Sequence, residues 1–89
     1  AEQAAGLLKA LSNPRRLLIL CTLCGAPGTS AGELARATGL SPSATSQHLA
    51  RMREEGLIDS TREAQRILYF IKNDAVNQLI STLKTLYCP

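Results

Sequence analysis

The sequence predicts a mainly α-helical domain with one small β-hairpin, and three observations point there. Apolar residues recur at three- and four-residue spacing over most of the chain. Only the stretch after Gly56 changes to β-branched and aromatic runs. Hydrophobic residues are 45% of the 89, yet the chain has no Trp, one Phe and two Tyr. Its core must then be Leu, Ile, Ala and Val, which suits helix packing better than an aromatic-rich sandwich. The length admits a single domain over residues 1–89.

Each element has its own signal. Ala4, Leu7, Leu8 and Leu11 give a first helix over 2–11. Ser12-Asn13-Pro14 supplies a stop, a cap and a proline for the first turn of a second helix. That helix ends at the loop cluster Gly25-Ala26-Pro27-Gly28. Ser30 and Glu33 have capping-box spacing and start a short third helix that Gly39 ends. Ser41 caps a fourth helix, Pro42 occupies its first turn, and Ala44, Leu49 and Met52 mark its core side, with Thr45 shared between faces. Residues 57–62 and 66–71 read as two strands with Glu63-Ala64-Gln65 at the tip. Asn73 or Asp74 caps a last helix over about 74–87, striped by Val76, Leu79, Ile80, Leu83 and Leu86.

The order α-α-α-α-β-β-α is that of a winged helix-turn-helix: helix-turn-helix at about 30–56, wing at about 57–71. The two end helices carry more apolar face than so small a core covers. They are expected to pack against a second copy, giving a homodimer through helices 2–11 and 74–87.

The second helix of such a unit lies in the DNA major groove with its N-terminal residues at base edges. Here that segment offers Ser41, Ser43, Thr45, Ser46, Gln47, His48 and Arg51, with no acid before Glu54. Gln pairs with adenine, hydroxyls with bases or phosphates, and Arg with phosphate or guanine. The wing adds Arg62, Gln65 and Arg66, suited to phosphates or a narrow minor groove. The net charge of +3 is a weak pointer, because 43–66 holds four Arg and four acids. Lys9, Arg15 and Arg16 form a separate basic cluster, which reads equally as a solvated helix start or as a contact to flanking phosphates. Double-stranded DNA is the expected partner.

Other classes are disfavoured. The longest apolar run, Leu17–Cys21, is far short of the roughly 20 residues of a membrane span. Residues 1–20 have no basic segment ahead of an apolar run, so a cytoplasmic protein is expected. The chain opens at Ala1 without Met, which suggests processing or trimming. The three cysteines exclude a fully paired internal disulfide framework. Cys21 and Cys24 lie three apart on one helix, the spacing of half a zinc site or of a redox pair. Zinc wants four ligands and the chain has three thiols; a thioredoxin-like motif wants a βαβ context. No enzyme, metal or cofactor is therefore expected. The rivals are a small thiol oxidoreductase using Cys21 and Cys24, or a structural dimerisation module without DNA.

Leu11-Ser12-Asn13-Pro14-Arg15-Arg16-Leu17-Leu18-Ile19-Leu20, Gly32-Glu33-Leu34-Ala35 and the run from Leu40 to Ile58 resemble the ArsR/SmtB bacterial repressors. The resemblance covers nearly the whole chain. It implies a homodimer that binds an inverted-repeat operator and releases it when an inducer binds. The family's thiolate metal site would start at the third helix, where Ser30-Ala31-Gly32-Glu33-Leu34 has no thiol. Its other site needs His on the last helix, which has none. Cys21 and Cys88 are instead similar to the paired cysteines of the family's persulfide-sensing branch, and Cys24 departs from that pattern. The resemblance thus implies sensing of sulfane sulfur by Cys21 and Cys88. Peroxide or a thiophilic metalloid acting on the same thiols is the alternative.

Overall fold

The computed structural model describes residues 1–87. Its elements are α1 (Glu2–Leu11), α2 (Pro14–Gly25), β1 (Thr29–Ser30), α3 (Ala31–Thr38), α4 (Pro42–Glu54), β2 (Ile58–Glu63), β3 (Arg66–Ile71) and α5 (Asp74–Tyr87). Caps set the boundaries. Asn13 Oδ1 accepts from the backbone N–H groups of Arg15 (2.9 Å) and Arg16 (3.3 Å), and Pro14 opens α2. Ser30 and Glu33 form a reciprocal capping box on α3. Gly39 ends α3 in the left-handed region at φ 74°, the conformation glycine adopts without penalty. Ser41 Oγ accepts from Ala44 N–H (3.1 Å) at the head of α4. Asn73 Oδ1 accepts from Val76 N–H (3.2 Å) and so caps α5.

The sheet has three strands rather than the expected two, in the order β1-β3-β2, all antiparallel. Thr29 pairs with Tyr69 and Ser30 with Leu68. Two residues are too short to show a strand period, and they follow a Gly/Pro cluster that reads as loop. The hairpin is also tighter than expected. Glu63 pairs with Arg66, which leaves only Ala64 and Gln65 at the tip. Ala64 takes φ 57°, an uncommon conformation for a residue with a Cβ.

Ile19, Leu20 and Leu23 of α2, Leu34 of α3, Leu49 and Met52 of α4, and Val76 and Ile80 of α5 meet in one core with Leu11, Leu57 and Ile58. Truncating such a residue to Ala costs about 2–5 kcal/mol. The helical faces are not all covered. Leu8, Leu18, Leu86 and Tyr87 are exposed, and Leu8, Leu11, Leu17, Leu79, Thr82 and Leu83 line an apolar groove. Among the described residues, no helix is long and apolar enough to cross a membrane.

Candidate nucleic-acid interface

α3, the Gly39-Leu40-Ser41 turn and α4 build the helix-turn-helix, and the β2–β3 hairpin stands as the wing. Leu49 and Met52 bury one side of α4, so the opposite side faces outward. Ser43, Ser46, Gln47 and Arg51 are exposed there, and His48 is half-buried at the edge. Ser41 is exposed but its hydroxyl already caps the helix.

Thr45 is a correction. It is wholly buried, and its hydroxyl donates to the Ser41 carbonyl (2.9 Å). It is a core residue that fastens the first turn, and its methyl and hydroxyl cannot meet a base. The sequence assigned it to both faces because a hydroxyl at the edge of an apolar stripe fits either.

The wing residues Arg62, Gln65 and Arg66 are all exposed. Arg62 Nε donates to the Ala64 carbonyl (3.2 Å), bracing the tight tip. Arg66 forms an ion pair with Glu33, so the tip end of the wing is tied to the capping box of α3. Glu33 stays below the ordinary carboxylate range chiefly because the Ser30 hydroxyl donates to it, with Ser30 N–H and Arg66 adding to the effect.

Arg16 is a second correction. Its guanidinium is not available to flanking phosphates. It grips Glu55 through two bonds, Nη1 to Oε2 at 2.7 Å and Nη2 to Oε1 at 2.8 Å, and Nη1 also donates to the Ala10 carbonyl (3.3 Å). One side chain thereby joins α1, α2 and the residue that ends α4. Hydrogen bonding to Arg16 lowers the Glu55 pKa, and the same bond raises that of Arg16. Nothing in the sequence announces a pair 39 residues apart. One of the acids that offset the charge of the reading head is spent on a structural bond.

His48 sits beside this junction. Desolvation lowers its pKa first, and the positive charges of Arg16, Arg15 and Arg51 lower it further. The imidazole is therefore held neutral at neutral pH. Lys9, Ser12, Asn13, Arg16, His48 and Arg51 line a concave groove between the α1–α2 corner and α4.

The thiols lie elsewhere. Cys21 and Cys24 are half-buried on α2 and pack against the core cluster. A Cβ added to Gly25 would stand 2.6 Å from Lys84 Nζ, so the Lys84 ammonium lies over the end of α2. Cys88 falls outside the described residues. Among the described residues, no three His, Cys, Asp or Glu side chains converge as a metal site.

The model of the "Bacterial regulatory protein, arsR family" matches residues 13–60, from the cap of α2 into β2. The chain belongs to the ArsR family. It is 78% identical over 89 residues to the HTH-type transcriptional regulator YgaV of Escherichia coli (strain K12), covering all of this chain and 90% of that one. A crystal structure described as a predicted DNA-binding transcriptional regulator from E. coli superposes with a TM-score of 0.93 at 77% identity, covering 97% of this chain and 90% of that one. The transcriptional repressor BigR from Xylella fastidiosa has a TM-score of 0.88 at 36% identity, over 98% of this chain and 85% of its own. A homodimeric winged helix-turn-helix domain from Mycobacterium bovis has a TM-score of 0.79 at 32% identity, over 96% and 78%. As a member of this family the chain is a DNA-binding transcriptional regulator with a winged helix-turn-helix fold.

Proposed function

We propose that the protein is a homodimeric repressor that reads an inverted-repeat operator and is released by persulfide or polysulfide acting on Cys21 and Cys88. The observation that carries the DNA half is the outward row Ser43, Ser46, Gln47 and Arg51 on a helix-turn-helix. Ser41, His48, Arg62, Gln65 and Arg66 frame that row. Dimerisation is supported by the apolar groove between α1, α2 and α5, with Leu8, Leu18 and Leu86 exposed beside it. A second copy of the chain is its natural occupant, given the homodimeric relative from M. bovis. Repression follows the X. fastidiosa relative, described as a repressor.

The sensing half rests on the half-buried Cys21 and on the contact that brings α5 to α2. Lys84 meets Gly25, four residues after Cys21 in the sequence; Cys88 follows Lys84 by four. The steps need no outside oxidant, because one persulfide sulfur is reduced to hydrogen sulfide as the two thiols are oxidised. Each thiolate takes one sulfur from a persulfide RSSH and releases RSH. One cysteine persulfide then attacks the other, expels hydrogen sulfide and leaves a three-sulfur bridge. Such a bridge spans more than a disulfide, whose Cα atoms must lie about 4.4–6.8 Å apart. If it favours the weak-binding conformer by about 1–3 kcal/mol, DNA affinity falls about 5–150-fold.

The test is DNA binding with and without a persulfide donor, read beside intact mass. Cys21→Ser and Cys88→Ser bind DNA but no longer release it, whereas Cys24→Ser releases it normally. An equal response of Cys21→Ser to the donor, or release of DNA by peroxide through a Cys21–Cys88 disulfide as readily as by the donor, overturns the sensing assignment.

A further inference from the structure

The groove between the α1–α2 corner and α4 lies beside the base-reading row, and no acid lines it among the described residues. Its cations come from separate elements: Lys9 from the last turn of α1, Arg16 from α2 and Arg51 from α4. The Arg16 charge is taken up by Glu55, while Lys9, Arg15 and Arg51 have no ion-pair partner among the described residues. The first N–H groups of α2 are already capped by Asn13, so attraction in the groove comes from side chains and not from a bare helix end. The positive charges of Arg16, Arg15 and Arg51 all bear on the half-buried imidazole and Lys9 lines the same groove, while Glu55 offsets Arg16 and, at longer range, Arg51.

We propose that this groove seats one phosphate of the DNA backbone, held by Lys9 and Arg51 with His48 as a third donor. The seat rests on the DNA-binding reading and extends it to α1, an element outside the helix-turn-helix. A phosphate there reverses the electrostatics around His48. The charges that bear on the imidazole are those of Arg15 and Arg16 from α2 and Arg51 from its own helix; Lys9 from α1 lines the same groove, and Glu55 bonds Arg16 and also attracts Arg51. An added anion favours the imidazolium, so binding takes up a proton. Affinity for DNA accordingly rises as pH falls through the DNA-bound pKa of His48, by at most about tenfold per pH unit per protomer.

The experiment uses the whole protein and a random-sequence duplex, because a phosphate contact carries no base information. Binding is measured against salt and against pH for the wild type, Lys9→Gln and His48→Gln. Each lost phosphate contact lowers the slope of log affinity against log salt by about 0.9 per protomer engaged. Lys9→Gln is expected to show that loss, and His48→Gln to lose the acid-side rise in affinity. Lys9 is exposed, so its replacement does not threaten the fold. A wild type without salt-dependent binding would sink the DNA reading itself. Salt-dependent binding with a slope unchanged in Lys9→Gln overturns the seat alone. Inorganic phosphate, followed by the NMR titration of His48, separates the sources. If it shifts that titration while the DNA slope ignores Lys9, the groove takes a free anion and the proposal fails.

Discussion

Arg16→Met and Glu55→Gln, alone and together, measure the bond that ties three elements at one point. The Arg16 side chain is only 12% exposed and Glu55 is 40% exposed. Hydrogen bonds to charged groups contribute about 1.5–3 kcal/mol when buried, and exposed ion pairs about 0.2–1 kcal/mol. Two short bonds with one partner half in water fall between, so a coupling energy of about 1–2 kcal/mol is expected. The assay is urea unfolding at fixed protein concentration, since the proposed dimer would make stability depend on concentration. Glu55 titrates below its ordinary 4.5 in the folded chain. The unfolded chain therefore binds more protons as the pH falls, and the coupling, full above 4.5, disappears as pH drops through the folded value. Coupling below about 0.3 kcal/mol at neutral pH, where the two substitutions would simply add, refutes the reasoning.

Three further predictions concern single residues. Thr45→Val leaves DNA affinity unchanged and costs under about 1 kcal/mol, because Thr45 N–H still satisfies the Ser41 carbonyl; Gln47→Ala, on the outward row, costs about 1–3 kcal/mol in specific binding. An affinity titration compares them, and a large loss in Thr45→Val alone would return that residue to the interface. Ala64→Gly removes the Cβ penalty at φ 57° and should raise stability by up to about 1 kcal/mol in urea unfolding; a loss of stability would mean that the tip is not strained.

What could be read from the sequence follows the range of the signal. The caps Asn13, Ser30, Ser41 and Asn73 act within three residues of their targets; the first three stand where the sequence puts them, and Asn73 is one of the two candidates it offers for α5. The core stripes hold for Leu49 and Met52 of α4 and for Val76, Leu79, Ile80 and Leu83 of α5, since one period fixes which side is buried, while Leu86 lies exposed beyond the core. Long-range pairings were not legible. Thr29 pairing with Tyr69, Arg66 meeting Glu33 and Arg16 meeting Glu55 depend on how the elements stack, and no local pattern encodes that. The same blindness makes Arg16 look like a phosphate ligand. Thr45 is ambiguous in sequence because its chemistry suits water and core equally when a backbone carbonyl lies within reach. The shortness of the hairpin tip is hidden because Ala is an unusual choice for a left-handed residue.

α2 carries the Arg16 junction in its first turn and Cys21 near its other end. A helix of 12 residues is a stiff rod about 18 Å long. Arg16 and Cys21 stand five residues apart on it, about 7.5 Å, so a pivot of about ten degrees at one swings the other by roughly 1.3 Å. That is the difference between a made and a broken hydrogen bond. The two ends of α2 are thus mechanically one body. A displacement too small to disturb the core at the thiol end is large on the scale of the bonds that hold the reading helix.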